Sequence, residues 1–81
     1  MYAATEVVVD ARRLLCPLPV IRTQDAVAKL PHDQVVKVLS TDPGALHDIP
    51  AWARIHGHRI LSTHTEDREY HITLLTGSGK I

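Results

Sequence analysis

Apolar runs separated by short polar stretches divide the chain into segments of two different periods. Glu6-Val7-Val8-Val9-Asp10 is a β-branched run bounded by charges and predicts a short buried strand. Gln34-Val35-Val36-Lys37-Val38-Leu39-Ser40, again rich in valine, predicts a second. Residues 58–65 and 70–75 predict two more, and the polar stretch Glu66-Asp67-Arg68-Glu69 between them suits a hairpin turn.

The intervening segments follow helical spacing. Val20, Val27 and Leu30 share a face with Thr23 and Ala26, whereas Arg22, Gln24, Asp25 and Lys29 fall largely elsewhere. This predicts an amphipathic helix stopped by Pro31, with Pro31-His32-Asp33 as the turn. A second helix opens at Thr41-Asp42-Pro43-Gly44, where Asp42 reads as an N-cap with proline at the next position. The same acid-then-proline signature recurs at Asp48-Ile49-Pro50. It predicts a first turn over 43–47 and a fresh start near Asp48, capped by that residue and running to His56, with Gly57 as the stop. Trp52 is the apolar anchor of this helix.

The predicted order is β-α-β-α-β-β in a single domain spanning residues 1–81, with 1–5 and 77–81 as flexible tails. Four strands and two helices in so short a chain pack most economically as a two-layer α/β (α+β) sandwich, a four-stranded mixed sheet with both helices on one face. A right-handed crossover makes the first two strands parallel. The segment after the first strand and the Thr41-Asp42-Pro43 loop after the second then meet on one rim.

Composition narrows the function classes. Nine basic residues balance nine acidic ones in 81 residues, so no net field draws the protein to nucleic acid or an anionic membrane. No apolar run approaches the roughly 20 residues that span a bilayer, and the first residues lack the regions of a signal peptide. The expected compartment is the cytoplasm. A single cysteine fits that reducing setting, because a small secreted chain usually carries several.

That cysteine lies in Leu15-Cys16-Pro17-Leu18-Pro19-Val20, at the junction of the first strand and the first helix. By default a lone cysteine is a small buried hydrophobe. Three features point instead to a reactive thiol: its place in a loop held by a rigid frame, the partial positive charge of a helix N-terminus, and the nearby Arg12 and Arg13. With Cys16 as N-cap and Pro17 at the first helical position, Pro17 and Pro19 remove two donors, leaving mainly the Leu18 N–H to face the sulfur. The expectation is a thiol pKa lowered moderately from about 8.5. A second thiol, which a dithiol oxidoreductase needs for resolution, is absent from the sequence.

Asp10-Ala11-Arg12-Arg13-Leu14-Leu15-Cys16-Pro17-Leu18-Pro19-Val20 resembles the signature of the TusA/SirA-like sulfur-carrier family, with its Cys-Pro-x-Pro motif at the start of the first helix. The similarity extends over nearly the whole chain, through Thr41-Asp42-Pro43, Asp48-Ile49-Pro50, Trp52 and Gly57-His58. The resemblance implies that Cys16 accepts sulfane sulfur as a persulfide and relays it, supported by Pro17, Pro19, Arg12, Arg13 and Asp42. The implied partners are a sulfur donor protein, such as a cysteine desulfurase or a rhodanese-like protein, and an acceptor protein in tRNA thiolation, cofactor synthesis or sulfur oxidation. No metal or organic cofactor is implied, and neither direct nucleic-acid contact nor a membrane. Arg13 departs from the pattern, since relatives commonly have glycine there; positive φ is easy for glycine and costly for arginine.

Other candidates have plainer readings. Six histidines suggest metal, and His64 and His71 would face each other across the hairpin, but no compact tetrahedral ligand pattern is present. His56 reads as a helix C-terminal residue, Trp52 as core, and Arg22 as a solvated residue able to help dock an acidic partner. The rival functional reading is an interaction module with the same fold and no sulfur chemistry, acting through the rim of Cys16 and Asp42.

Overall fold

The computed structural model describes residues 6–77. It contains β1 (Val7–Ala11), α1 (Leu18–Val27), β2 (Val35–Ser40), α2 (Ala45–Ile55), β3 (Arg59–Glu66) and β4 (Glu69–Leu75). The β-α-β-α-β-β order and the two-layer architecture are as the sequence predicts. The sheet order is β1-β2-β4-β3, with β1 and β2 parallel and the other two pairings antiparallel. Because β4 lies beside β2, β1 and β3 are the edges.

Strand periodicity assigns the faces. In β2, Val36, Val38 and Ser40 point to the helices, and Val35, Lys37 and Leu39 to the open side. Val9 and Ala11 of β1 and Ile72 and Leu74 of β4 join them, and α1 and α2 supply Val27, Ala45, Ile49, Trp52 and Ala53 to complete the core. The expectation of a buried first strand is corrected: Val8 remains 55% exposed, because only one face of this edge strand has a helical layer over it. Both helices lie on that covered face, α1 mainly over β1 and α2 over β3 and β4.

Helix α2 corrects a second expectation. It is continuous from Ala45 to Ile55 with Pro50 inside it, so Asp48 does not start or cap a new helix; its own N–H donates to the Gly44 carbonyl at 2.9 Å. Pro50 forfeits the bond to the Leu46 carbonyl, but its fixed φ is helical and the helix continues. The expected stop at Gly57 holds. Gly57 has φ 80°, its N–H donates to Arg54 O, and the His58 N–H donates to Ala53 O at 2.7 Å, the paired bonds of a Schellman ending.

The hairpin is tighter than the four-residue polar turn of the sequence reading. Glu66 pairs with Glu69, so only Asp67 and Arg68 connect the strands, both at positive φ (52° and 66°), as a type I′ turn requires.

The expected tails over 1–5 and 78–81 lie outside the described residues, but Gly77 is tied down. Its N–H donates to His58 Nδ1 at 3.0 Å, and a Cβ on it would collide with the Gly57 carbonyl oxygen. Just before it, Thr76 is buried and its hydroxyl donates to the Pro31 carbonyl at 2.6 Å. The chain thus closes onto the turns that follow both helices.

Candidate functional site

The parallel pairing ends at Ala11 opposite Ser40, so the segments that follow leave the sheet side by side. Two hydrogen bonds join them. The Arg13 N–H donates to Thr41 Oγ1 at 2.8 Å, and the Cys16 N–H donates to Asp42 Oδ2 at 2.7 Å. The other Asp42 oxygen accepts the Gly44 N–H at 3.1 Å. Gly44, not Asp42, is the N-cap of α2; the Asp42 carboxylate closes the turn before it and anchors the cysteine backbone, which brings Cys16 and Asp42 together on the expected rim.

The helix begins later than the sequence suggests. Pro17 is the N-cap of α1, Leu18 the first helical residue and Pro19 the second. The peptide bond between Cys16 and Pro17 is cis. The Leu18 N–H donates to the Leu15 carbonyl at 2.8 Å, closing the turn around Cys16 and leaving no donation from Leu18 to the sulfur. Pro19 has a second role, since its carbonyl accepts the buried Thr23 hydroxyl at 2.8 Å and starts the buried stripe Pro19, Thr23, Val27.

What meets the sulfur is a carboxylate. Cys16 Sγ donates to Asp48 Oδ2 at 2.9 Å. The expectation of a lowered thiol pKa is overturned: the hydrogen bond to Asp48 raises it, with desolvation and the charges of Asp48 and Asp42 acting in the same direction. The free, exposed thiol is held in its neutral form. Exposed apolar residues flank it along the chain, with Leu15 at 73%, Leu18 at 48% and Ile21 at 48%.

Arg12 and Arg13 do not supply the positive charge expected at the thiol. The Arg12 guanidinium is engaged by Asp10 at 2.9 Å and Glu69 at 3.3 Å, and it lowers the Asp10 pKa to about 2. Arg22 donates to the Asp10 carbonyl at 3.3 Å. These arginines line a neighbouring open cleft of about 760 Å³ with Arg13, Thr41 and the hairpin tip. The five residues expected to support the cysteine thus divide by role: Asp42 holds the cysteine backbone, the two prolines shape its turn, and the two arginines face the cleft.

Arg13 itself has φ 67°, the left-handed conformation that glycine adopts without strain. Arg13→Gly is expected to raise stability by about 0.5–1 kcal/mol, the relief of backbone strain less the extra entropy of glycine when unfolded. In this size of domain that is a rise of a few degrees in thermal midpoint, measured by circular dichroism; a fall would show that the arginine side chain offsets its own strain.

Among the histidines, His64 and His71 are paired across the hairpin with ring centroids 5.8 Å apart. Each lies 3.4 Å from a glutamate of its own strand, Glu66 and Glu69 respectively. No group of three or more His, Cys, Asp or Glu side chains converges for metal binding among the described residues. Trp52 is core, 7% exposed. Its Nε1–H donates to Gln24 Oε1 at 3.1 Å, and its ring lies 4.8 Å from that of His58.

A family model described as sulfurtransferase TusA matches residues 7–75. The chain belongs to the TusA family. Among TusA-like relatives, it is 43% identical over 54 residues to a putative sulfur carrier protein, YrkI, of Bacillus subtilis, covering 67% of this chain and 72% of that one. It is 45% identical over 58 residues to a putative sulfur carrier protein of Aquifex aeolicus, covering 72% of this chain but only 29% of that longer protein. The crystal structure of a SirA-like protein from Desulfitobacterium hafniense superposes with a TM-score of 0.77 at 26% identity, over 89% of this chain and 99% of that one. The TusA fold expected from the Cys-Pro-x-Pro segment is therefore the fold observed. Sequence reasoning missed Asp48 as a partner of the cysteine. A helix carried through Pro50 would have placed that residue in the first turn of α2, on the rim where Cys16 lies.

Proposed function

We propose that this protein is a sulfur carrier that holds sulfane sulfur as a persulfide on Cys16. A donor protein's persulfide delivers the sulfur and an acceptor protein's cysteine removes it. The observation that carries this reading is the exposed single thiol at the rim, anchored through its backbone to Asp42. Without a neighbouring thiol to discharge the persulfide as a disulfide, the sulfur waits for a partner. The exposed apolar residues Leu15, Leu18 and Ile21, close to Cys16 along the chain, offer surface for that partner to cover.

In this reading the donor is a cysteine desulfurase or rhodanese-like protein, and the acceptor serves tRNA thiolation, cofactor synthesis or sulfur oxidation. The protein works in the cytoplasm, where the thiol stays reduced. No helix among the described residues is long and apolar enough to cross a membrane.

Incubation with a persulfurated donor, followed by intact-mass measurement, is expected to add the mass of one sulfur atom. Cys16→Ser is expected to lose that adduct completely. Retention of the adduct by the serine variant would refute the assignment of Cys16.

A further inference from the structure

We propose that Asp48 is the proton acceptor of Cys16 and a latch that senses loading: it holds the empty side chain as a thiol and expels the persulfide once sulfur has arrived. This rests on the reading of Cys16 as the sulfur-bearing residue. Asp48 sits in the first turn of α2 with its backbone fixed to Gly44, and its Oδ2 lies 2.9 Å from Sγ. A carboxylate accepts a hydrogen bond and has none to donate. A neutral thiol completes this pair; a thiolate is repelled by it.

The charged groups bearing on the sulfur are Asp48 and, more remotely, Asp42. Asp42 is committed to the N–H groups of Cys16 and Gly44. Of the neighbours along the chain, Leu15, Pro17 and Leu18 are uncharged, and on the β1 side Arg12 is held by Asp10 and Glu69 while Arg22 reaches the Asp10 carbonyl. Arg13 lines the neighbouring cleft, and among the described residues only carboxylates act on the sulfur by charge.

Loading exchanges a thiol for a persulfide without net oxidation or reduction. The sulfur–sulfur bond of the donor persulfide breaks, and its electron pair stays on the donor's cysteine sulfur. A new sulfur–sulfur bond forms between Cys16 Sγ and the transferred atom. The Sγ proton passes to Asp48 Oδ2 and then to the donor thiolate. Sγ now has no hydrogen with which to bond Asp48. A persulfide is a stronger acid than its thiol, so the terminal sulfur carries negative charge near neutral pH and both carboxylates repel it. Cys16 is exposed, and the loaded sulfur swings outward, where an acceptor meets it.

The test compares wild type, D48N and D48E, empty and after loading with inorganic tetrasulfide, which leaves as trisulfide. Loading is followed by intact mass, and the rate of alkylation by iodoacetamide is measured against pH. In D48N the empty thiol is expected to react about tenfold faster at pH 7, the effect of one pKa unit, with its curve moved to lower pH. The ratio of loaded to empty rates falls by about the same factor, and D48E restores both. An unchanged alkylation curve and ratio in D48N, with a native circular dichroism spectrum, overturns the role of Asp48. Absence of any sulfur adduct on wild type overturns the carrier reading itself, a separate result.

Discussion

Trp52→Ala is expected to remove about 3–5 kcal/mol of stability, as for other large aromatic truncations in a packed core. A domain of this length has roughly 4–12 kcal/mol in total, so the loss takes from about a quarter to all of it and the unfolding midpoint falls steeply. The size of the effect follows from what the indole joins. It is nearly buried in α2, it donates to Gln24 of α1, and it lies against His58, the residue that leads into β3. Truncation therefore loosens both helices and the sheet edge together, and leaves the Gln24 carbonyl to find water. Urea titration followed by circular dichroism measures it, because the protein has no other tryptophan to report fluorescence. Trp52→Phe should recover most of the loss while leaving the Gln24 bond unmade. A midpoint for the alanine variant near that of wild type would mean that the core closes over the vacated space.

Asp42→Ala is expected to damage the site more than the fold. Two hydrogen bonds to a charged acceptor are lost, a cost of about 2–4 kcal/mol at most for partly exposed donors. The functional loss is larger in proportion. The Cys16 N–H is one of the two points at which the α1 lead-in is fixed to the α2 lead-in, and the one at the cysteine itself, so without it the sulfur is held less tightly relative to Asp48 or to a docked partner. Misplacement by about 1 Å is worth on the order of a hundredfold in rate, and sulfur uptake from a protein donor should fall by at least tenfold. Asp42→Asn keeps one acceptor oxygen for two donors and should fall between. Uptake is measured by intact mass at short times; a rate equal to wild type in the alanine variant would show that Thr41 and the Leu15–Leu18 turn position the thiol unaided.

Much of the fold was legible because each strand carries its own evidence: valine-rich runs bounded by polar turns leave little choice. The parallel pairing of the first two strands, and with it the meeting of Cys16 and Asp42, followed from the handedness of the crossover. Two things were not legible, and both turn on proline. Pro17 and Pro19 each suit a helix start, so local rules gave no reason to prefer Leu18 over Pro17 as the first helical residue, and one residue decided whether an N–H faced the sulfur. Pro50 read as a break, although the packing of Ile49, Trp52 and Ala53 against the sheet favours an unbroken α2. The environment of the thiol was misjudged in consequence. Asp48 is 32 residues from Cys16, and a contact at that separation is set by tertiary packing, not by a motif. Arg13 was the opposite case, since its unfavourable residue type was visible and the positive φ is present.

The sheet register places both described ends of the chain away from the thiol. Val7 pairs with Val36, and Leu75 pairs with Val35, so residues 6 and 77 leave the domain at the same end of the sheet. Cys16 follows the other end, beyond the pairing of Ala11 with Ser40. A tether or neighbouring domain continuing from either described end would start at the end of the sheet opposite Cys16. The architecture can serve as one station within a longer polypeptide, and the Aquifex aeolicus relative, of which the matched region is 29%, is a chain with room for such an arrangement.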